Sequence, residues 1–406
     1  MIPLAEARAH VVERCPPRAP VPVPLDQALG CVLAASVVAR EQVPPFAGSA
    51  MDGYALRAAD VADASPTAPA RLEIAGELAA GAAPDVEVGP GEAVRIMTGA
   101  PLPPGADAIV MVELTETSGG TVLVKEPVPV GHHIRPAGDD IPVGAEVVTA
   151  GTTLGPAHLG VLASVGVRRP VVIRRPRVGV ISTGDELVDD DRPLAPGQIR
   201  ESNRPMLLGL VELAGFDPVD LGTVADDEGA LEAAMRDGAA RCDGLLTSGG
   251  VSMGEYDLVK VVLGRLADMR WMQIAMRPAK PFAFGVLDGV PVFGLPGNPV
   301  SSLVSFALLA RPGLRRLAGH ATLDLPNVTA RVVSDLLRVP DGKVHFQRVR
   351  CQWRSSGFLA EAVGAQGSHQ LAATAQANGL AVLPDGDGIT AGGDVNVVLL
   401  QDPFGD

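Results

Sequence analysis

Aromatic residues are scarce in this 406-residue sequence, where they make up 3% and include two Trp and two Tyr. The cores must therefore be built mainly from Val, Leu, Ala and Ile, within a hydrophobic content of 47%. Positively charged residues are also few, because the sequence has 33 Lys and Arg but 47 Asp and Glu, which gives a net charge of −14. This balance argues against broad electrostatic binding to nucleic acid or to an anionic membrane. It leaves room for a small anion held by a few local cations.

Several familiar motifs are also missing. The four cysteines, Cys15, Cys31, Cys242 and Cys351, form no C-x-x-C pair, so no zinc or redox motif is visible. Scattered thiols fit a reducing cytoplasm better than a disulfide scaffold. No run approaches the roughly 18–20 apolar residues of a membrane helix, and we expect no signal peptide. G-x-S-x-G, H-E-x-x-H, G-x-G-x-x-G and the P-loop are absent, and the seven histidines lack metal-ligand spacing.

The length suggests about two to four domains. Helical periodicity runs from Leu4 to Cys15, again from Leu25 to Val38, and again after Pro156. Between these stretches, residues 46–141 carry short apolar runs separated by Gly and Pro turns, which is typical of a small β domain. We therefore predict a discontinuous helical domain, made of residues 1–45 with 142–170, into which a β domain of residues 46–141 is inserted.

The remainder of the chain predicts two further domains. Residues 171–320 alternate strands and helices, which favours a doubly wound parallel sheet with helices on both faces. Residues 321–406 return to strands separated by turns and predict a small barrel or sandwich. The fold class is thus multi-domain α/β plus β. Ligands of parallel sheets bind at the carboxyl ends of the strands, where the loops 183–187, 248–252 and 296–301 would meet.

A glycine turn follows one of these predicted strands. Ser248-Gly249-Gly250 comes after the apolar pair Leu245-Leu246 and precedes a helix-like stretch that begins at Asp257. Adjacent glycines allow positive φ and let successive N–H groups point one way, so the turn suits a phosphate or another oxyanion. A tight turn without a ligand explains the same residues, and the turn alone does not decide between the two.

Charged residues surround this turn in the predicted topology. Strand ends carry Asp185, Glu186, Asp226 and Asp227, and converging carboxylates suit Mg²⁺. Helix capping is the alternative, and it is strong for Asp226 and Asp227, which precede a helix. Arg277 and Lys280 lie in an extended segment framed by prolines, which favours an oxyanion site over a solvated loop. Asn298 and Pro299 suit the cap and first turn of a helix.

Six segments, taken together and in order, closely resemble the MoeA family of molybdopterin molybdenumtransferases, to which the gephyrin E domain also belongs. They are Pro44-Pro-Phe-Ala-Gly-Ser-Ala-Met-Asp-Gly-Tyr-Ala55, Arg95-Ile-Met-Thr-Gly-Ala-Pro101, Ile181-Ser-Thr-Gly-Asp-Glu-Leu187, Thr247-Ser-Gly-Gly-Val-Ser-Met-Gly254, Lys280-Pro-Phe-Ala-Phe-Gly285 and Gly294-Leu-Pro-Gly-Asn-Pro-Val-Ser301. The resemblance implies an L-shaped homodimer of four-domain subunits that pair through the helical domain. It also implies conversion of adenylylated molybdopterin and molybdate to molybdenum cofactor, with release of AMP and with Mg²⁺ or a similar cation. Other proteins of cofactor biosynthesis are possible partners.

The resemblance also assigns residues. Those tied to activity are Asp52, Thr98, Glu186, Asp226, Asp257 and Lys280, among which Glu186, Asp226 and Asp257 are the expected metal ligands. Those expected to bind substrate are Arg135, Asp140, Ser248, Gly249, Gly250, Ser252, Arg277, Pro296, Asn298, Pro299, Ser301 and Arg348. The cleft is shared, so that one subunit supplies Asp52 and Thr98 and the other supplies the α/β domain. The sequence departs from the family at two places. Arg277 occupies a position where Lys is common, and Ala372-Ala373 occupies positions where relatives often carry Ser.

The mechanism that follows from this assignment is electrostatic. The acids hold Mg²⁺ against the pyrophosphate-type link, Lys280 offsets charge, and molybdate is held by Arg277, Lys280 and Arg348. Two other functions remain open at this stage. A molybdopterin adenylyltransferase resembles residues 171–320 alone, and a gephyrin-like scaffold needs no intact acidic site. The sequence does not distinguish molybdate from tungstate.

Overall fold

The computed structural model describes residues 1–250, 258–355 and 357–403. The chain forms two compact units, which we call the insert unit and the main unit. The insert unit comprises Pro24–Leu29 with Ala35–Pro170, and the main unit comprises Met1–Val23, Gly30–Ala34 and Val171–Asp406. The expected fold class is confirmed, whereas the four domain boundaries given above stay a prediction.

The insert unit is built on a six-stranded sheet, as the turn-separated apolar runs predict. Its strand order is Ala108–Met111, Gly53–Leu56, Glu92–Ile96, Ala70–Leu78, Thr121–Val124 and Thr115–Ser118. The strand Gly53–Leu56 is buried along its whole length, and Tyr54, Leu56 and Val110 join one core. Smaller pairs add Gly48–Ser49 with Ile134–Arg135 and Val37–Val38 with Glu146–Val148, and the unit also holds the helix Pro156–Ser164.

One predicted helix is not formed. The segment from Leu25 to Val38 contains a 3₁₀ turn, Leu25–Gln27, followed by the short strands Val32–Leu33 and Val37–Val38. Gly30 adopts a positive φ of 75° directly after the turn, which ends helical geometry, and the valines that follow favour extended backbone. The earlier helix is confirmed as Leu4–Glu13, and it buries Ala7 and Val11 in the core of the main unit.

The main unit is organised by a second six-stranded sheet. Its order is Asp217–Val224, Arg177–Thr183, Gly244–Ser248, Val290–Leu295, Pro281–Leu287 and Asp268–Gln273. The first four strands are parallel, as predicted, whereas the last two join through antiparallel pairings and extend the sheet beyond the predicted set. Helices Asn203–Leu213, Glu228–Arg241, Leu258–Leu266 and Pro299–Ser305 accompany the sheet, and Leu246 and Leu245 enter two separate cores.

The last of these helices continues beyond Ser305. It widens to π geometry over Phe306–Ala310 and returns to α geometry over Arg311–Leu317. Pro312 explains the change of pitch, because proline has no N–H and its ring collides with the carbonyl four residues earlier in a regular helix. The helix thereby keeps Phe306, Leu309 and Leu314 in one core.

The C-terminal strands close into a barrel, which resolves the predicted choice between barrel and sandwich. Around the ring the strands are Val344–Arg354, Gly357–Ala362, Asn327–Val332, Asp394–Leu399 and Gly379–Leu383, and the last pairs back with the first. Closure is possible because the first half of Val344–Arg354 pairs with one neighbour and its second half with the other. Met276–Arg277 from the main unit's loop adds a parallel pairing to Val344 and His345.

The remaining described elements are short. They are the strands Val21–Pro22, Val171–Ile173, Leu187–Val188, Ile199–Arg200, Leu336–Leu337 and Gly388–Ile389, the 3₁₀ turns Ala58–Val61 and Val112–Leu114, and the helix Leu371–Thr374. Among the described residues, every helix is too short or too polar to cross a membrane.

The strand Gly53–Leu56 of the insert unit yields a prediction about stability. A Cβ at Gly53 would overlap the Val110 carbonyl in the neighbouring strand, so Gly53→Ala must displace backbone. We expect the free energy of unfolding to fall by at least roughly 1–3 kcal/mol. Urea denaturation monitored by circular dichroism measures this change.

Gly160→Ala provides the matched control in the same unit. Gly160 is an exposed residue of the helix Pro156–Ser164, and open space surrounds the position of its missing Cβ. This substitution should raise stability by about 0.5–1 kcal/mol, because alanine loses less conformational entropy in a helix. Equal effects of the two substitutions would contradict the steric argument.

Candidate active site

Loops from the parallel strands meet at one edge of the main sheet, as expected. Gly249 and Gly250 adopt φ values of 98° and 70° after the strand Gly244–Ser248. The Gly249 N–H donates to the Leu295 carbonyl at 3.1 Å. A Cβ at Gly249 would lie 3.2 Å from the Thr183 carbonyl oxygen, and one at Gly297 would lie 3.8 Å from the Gly249 Cα. Three strand ends are therefore packed against one another around the glycine turn.

Asn203 links two of these loops. Asn is a common helix-capping residue, but here Ser202 occupies the cap position and Asn203 is the first helical residue. Its Nδ2 donates to Ser248 Oγ at 2.8 Å and to the Gly297 carbonyl at 2.7 Å. The sequence signal, an Asn at a helix start, was visible, but its partners lie 45 and 94 residues away along the chain.

A cavity of about 280 Å³ lies beside these loops. It brings together five of the predicted substrate-binding and catalytic residues, Arg277, Lys280, Pro296, Asn298 and Ser301. Sequence reasoning missed other lining residues, namely Lys343, Gln366, Gly367 and Ser368. Among the described residues, its lining includes three cations and no Asp or Glu, so the cavity is suited to an anion.

The cations Arg277 and Lys280 are held by the backbone on either side of them. Arg277 ends a strand that pairs with the barrel, and the Lys280 carbonyl accepts from Ile274 N at 2.8 Å. The sequence predicted an extended segment, but the structure is not extended throughout. Ala279, which is buried, adopts a φ of 73°. This left-handed residue turns the chain between the two cations, and both remain on the cavity wall.

Asn298 and Pro299 start the helix on the opposite side of the cavity. Asn298 is at the cap position and Pro299 is at the first turn, as predicted, but the Asn298 side chain makes no capping hydrogen bond. Val300 N donates to the Ser368 carbonyl at 3.1 Å, which ties this helix start to the loop that carries Gln366 and Ser368. The exposed Asn298 side chain therefore faces the cavity without a structural task in the cap.

Lys343 reaches the cavity from the barrel and is oriented by Asp341. Its Nζ lies 2.6 Å from Asp341 Oδ2, and the other oxygen of Asp341 contacts Arg338 at 2.9 Å and His345 at 3.1 Å. The hydrogen bond from Lys343 is the main reason that the pKa of Asp341 falls to about 2. The carboxylate therefore stays ionised and fixes the ammonium group at the cavity edge.

The structure corrects the expected role of Arg348. Its side chain is 1% exposed, and its guanidinium donates to the carbonyls of Gln370 at 2.7 Å and Ala365 at 2.6 Å, as well as to Thr374 Oγ1 at 2.9 Å. These bonds use the donors that would otherwise meet an oxyanion. Arg348 thus supports the loop from Ala365 to Gln370, which forms a wall of the cavity, instead of contacting a ligand.

Carboxylates also gather at this edge of the sheet. Asp226 N donates to Asp185 Oδ1 at 3.0 Å, which joins the ends of two neighbouring strands, and Glu186 is exposed beside them. Asp227 caps its helix by accepting from Ala230 N at 2.8 Å, so the capping alternative is confirmed for that residue. Asp257 and Ser252 lie outside the described residues. Among the residues that the structure describes, no three side chains are grouped as a metal site, so the described acids alone do not fit Mg²⁺ as a complete ligand set.

In the insert unit, the structure pairs Asp52 with Thr98, which are 46 residues apart. Asp52 Oδ1 accepts from both the backbone N–H and the hydroxyl of Thr98, each at 2.7 Å. Both bonds lower the pKa of Asp52 below its ordinary value, and the bond from the backbone N–H has the larger effect. The result is an exposed carboxylate that is ionised and has a fixed orientation.

The other two predicted residues of this unit share a separate cavity of about 380 Å³. Its lining includes Arg135, Asp139 and Asp140 together with Gly48 and Ser49. Arg135 ends the strand that pairs with Gly48–Ser49, and this pairing places the loop of Asp139 and Asp140 beside the chain that leads to Asp52.

Loss of Arg348 should destabilise the barrel. In Arg348→Met several buried acceptors lose their charged donor, so we expect the free energy of unfolding to fall by at least about 2 kcal/mol. Arg331→Met, at an exposed position of the same barrel, should change it by under about 0.5 kcal/mol. Denaturant titration compares the two variants. An Arg348 variant as stable as the Arg331 control would contradict the supporting role.

The pKa of Asp52 should respond to its hydroxyl partner. Thr98→Val removes one donor and keeps the backbone N–H, so the pKa should rise but remain below the ordinary value for Asp. The carboxylate would then take up its proton at a higher pH than in the wild type. NMR titration of side-chain carboxyl carbons measures the shift, with Asp341 of the main unit as an unchanged internal control. An unaltered Asp52 pKa would show that the hydroxyl does not stabilise the carboxylate.

Comparison with known proteins gives a consistent result along the whole chain. Family models match the MoeA N-terminal region (domain I and II) over residues 2–166, a probable molybdopterin binding domain over residues 179–316, and the MoeA C-terminal region (domain IV) over residues 332–400. The molybdopterin molybdenumtransferase 2 of Mycobacterium tuberculosis is 41% identical over 373 residues, covering 90% of this chain and 91% of that protein.

Two further relatives span nearly the full length. The molybdopterin molybdenumtransferase of Haemophilus influenzae is 36% identical over 407 residues, covering 100% of this chain and 99% of that protein. The crystal structure of a molybdopterin biosynthesis MoeA protein from Pyrococcus horikoshii superposes with a TM-score of 0.80 at 33% identity, covering 99% of this chain and 100% of that one. Because such relatives exceed 30% identity over almost the entire chain, this protein belongs to the MoeA family.

Proposed function

We propose that the protein is a molybdopterin molybdenumtransferase, which inserts molybdate into adenylylated molybdopterin and releases AMP. The observation that carries this proposal is the cavity of about 280 Å³ at the strand-end loop of Pro296 and Asn298, whose lining has three cations and, within the part of the chain that the structure describes, no carboxylate. The names of the full-length relatives supply the substrate class. The extent of the match, through all three family regions, favours this activity over that of a stand-alone adenylyltransferase.

Molybdate is assigned to the cationic cavity. Arg277, Lys280 and Lys343 supply charge from three directions, and a tetrahedral dianion is matched by several donors that are already fixed in place. Lys343 takes the place that sequence reasoning gave to Arg348. The backbone of Arg277 and Lys280 is held at both ends, so little reorganisation is needed when the anion enters.

The nucleotide part of the substrate is assigned to the adjoining strand-end loops. Ser248, Gly249 and Gly250 present a turn in which positive φ values suit an anion, and Asn298 stands across from them with no capping bond. When the link between pterin and AMP breaks, negative charge develops on the AMP phosphate. Lys280, on the wall of the molybdate cavity, would offset that charge, while positioning of both substrates supplies much of the rate.

Several finer points complete the proposal. A divalent cation such as Mg²⁺ would be held by Glu186, Asp226 and Asp257 and would stabilise charge on the phosphates. A homodimer would let Asp52 and Thr98 of one subunit complete the site of the other, with Arg135 and Asp140 beside them. Location in the cytoplasm and contact with other proteins of cofactor biosynthesis follow from the same role. The relatives' names and the pairing of Asp52 with Thr98 support these points.

AMP release tests the function. The wild-type protein, incubated with adenylylated molybdopterin, molybdate and Mg²⁺, should release AMP, and withholding molybdate or Mg²⁺ in turn should reduce the rate. Lys280→Met should lower the rate at least about tenfold, because removing one fixed charge contact costs roughly 1.4 kcal/mol or more. Chromatography of AMP measures each rate.

Lys260→Met is the matched control. Lys260 lies on the helix Leu258–Leu266, with its Nζ 5.9 Å from the centre of the Trp271 ring and away from the cavity lining. Its rate should equal that of the wild type. Formation of adenylylated molybdopterin from ATP, with no AMP release, would replace the proposed function by that of an adenylyltransferase. Absence of both reactions would favour a scaffolding role.

A further inference from the structure

We propose that Asn203 is a positioning residue, which orients the hydroxyl of Ser248 so that its proton is offered to the bound substrate. The inference rests on the proposed function, because it assigns the substrate to the Ser248–Gly250 turn. Asn203 would act through Ser248, with its bond to the Gly297 carbonyl holding the amide in place, and without contacting the reacting atoms itself.

The bonds of Asn203 fix which way its amide faces. Its Nδ2 lies 2.7 Å from the Gly297 carbonyl oxygen and 2.8 Å from Ser248 Oγ. A backbone carbonyl only accepts hydrogen bonds, so the flipped amide would set two acceptors against each other. The nitrogen must therefore face Gly297, and its second hydrogen is directed to Ser248.

This arrangement determines the direction of the Ser248 proton. A hydroxyl has one hydrogen and two lone pairs, and Asn203 donates to one of those lone pairs. The Ser248 proton must therefore point away from Asn203. Within the described residues, Ser248 makes no other side-chain hydrogen bond, so the proton remains for an acceptor such as a phosphate oxygen. Since the Ser248 side chain is 3% exposed, its orientation is set by this neighbour and not by bulk water.

Asn203 itself has little freedom to move. It begins the helix Asn203–Leu213, whose Leu207 and Val211 are fully buried. Glu201 Oε1 accepts from Asn203 N at 2.6 Å and from Arg204 N at 3.0 Å, which satisfies the first donors of the helix. The amide is 8% exposed and is therefore held on a rigid element. A positioning residue needs such a fixed base, because its effect depends on geometry.

An unpaired oxygen of Asn203 also supports the inference. Asn203 Oδ1 is buried and has no hydrogen-bond partner in the part of the chain that the structure describes. Buried amide oxygens without partners reduce stability, so an apolar residue at this position would make a more stable helix start. The two donors of Nδ2 are what an apolar residue would lose, and they lead to the two loops of the substrate site.

Four variants test the inference: Asn203→Ala, Asn203→Asp, Ser248→Ala and the double variant Asn203→Ala with Ser248→Ala. Asn203→Asp replaces the donor by an acceptor, so Ser248 would donate to it and turn its proton away from the substrate. We expect the KM for adenylylated molybdopterin to rise about tenfold in both Asn203 variants, with kcat changed less. Tenfold corresponds to about 1.4 kcal/mol, the size of one hydrogen bond to a charged group.

The double variant separates positioning from a general loss of structure. If Asn203 acts through Ser248, the double variant should bind no more weakly than Ser248→Ala alone, because the hydroxyl to be oriented is already missing. Additive losses would overturn the inference. Asn378→Ala is the matched control, since Asn378 also bridges backbone groups, those of Cys351, at 2.7 and 2.8 Å in the barrel. It should lower the melting temperature and leave the KM unchanged.

Binding of adenylylated molybdopterin, followed by fluorescence titration, keeps the inference apart from the proposed function. A wild-type protein that binds this compound without releasing AMP would disprove the function, while the variant series would still test Asn203 through the Kd. The Kd should then rise about tenfold in the Asn203 variants. A wild-type protein that neither binds nor turns over the compound would overturn both.

Discussion

The close approach of three strand-end loops is the constraint on which the rest of the site depends. The Gly249 N–H bonds to the Leu295 carbonyl, and a Cβ at Gly249 would lie 3.2 Å from the Thr183 carbonyl oxygen, so a larger residue at position 249 would press on the neighbouring strand end. Parallel pairing brings these ends to the same edge, and glycine permits the last contact. Asn203, Ser248 and the Gly297 carbonyl are positioned relative to this junction.

Residues of the barrel line the cavity together with residues of the sheet edge. Its strand Val344–Arg354 pairs with Met276–Arg277 and supplies Lys343 just before the strand begins. The loop of Gln366 and Ser368 is attached to the start of the helix at Val300. The sheet edge thus contributes the turn and two cations, and the barrel contributes a third cation and an opposing wall. Neither part alone encloses an anion.

The sequence predicted those features that depend on local pattern. The alternation of strands and helices over residues 171–320 was predicted in this way, and the structure forms it, for example in the strand Arg177–Thr183 and the helix Asn203–Leu213. The helix expected from Leu25 to Val38 failed because one positive φ at Gly30 outweighed a weak apolar period. The strand Asp268–Gln273 shows no clear alternation of buried and exposed residues, so it lacks the local pattern by which a strand is predicted.

For the site, too, the sequence predicted the residues that lie in local motifs and missed those that tertiary contacts bring in. Arg277, Lys280 and Asn298 were found because they lie in motifs, whereas Lys343 and Gln366 reach the cavity only through barrel closure and strand pairing. Arg348 was misplaced for the related reason that a motif identifies a residue but not the direction of its side chain. Asn203 was noticed as a helix start, but tertiary contacts between distant parts of the chain gave it other partners.

The buried Arg348 has one further consequence. It is surrounded by carbonyl and hydroxyl oxygens, and none of the described carboxylates lies within ion-pair distance of it. Dipoles stabilise its charge without cancelling it, so a full positive charge remains behind the cavity wall. Buried charges are screened much less by salt than exposed ones. The wall therefore adds a positive potential inside the cavity, and salt weakens this potential less than it weakens the contribution of the exposed Arg277 and Lys280.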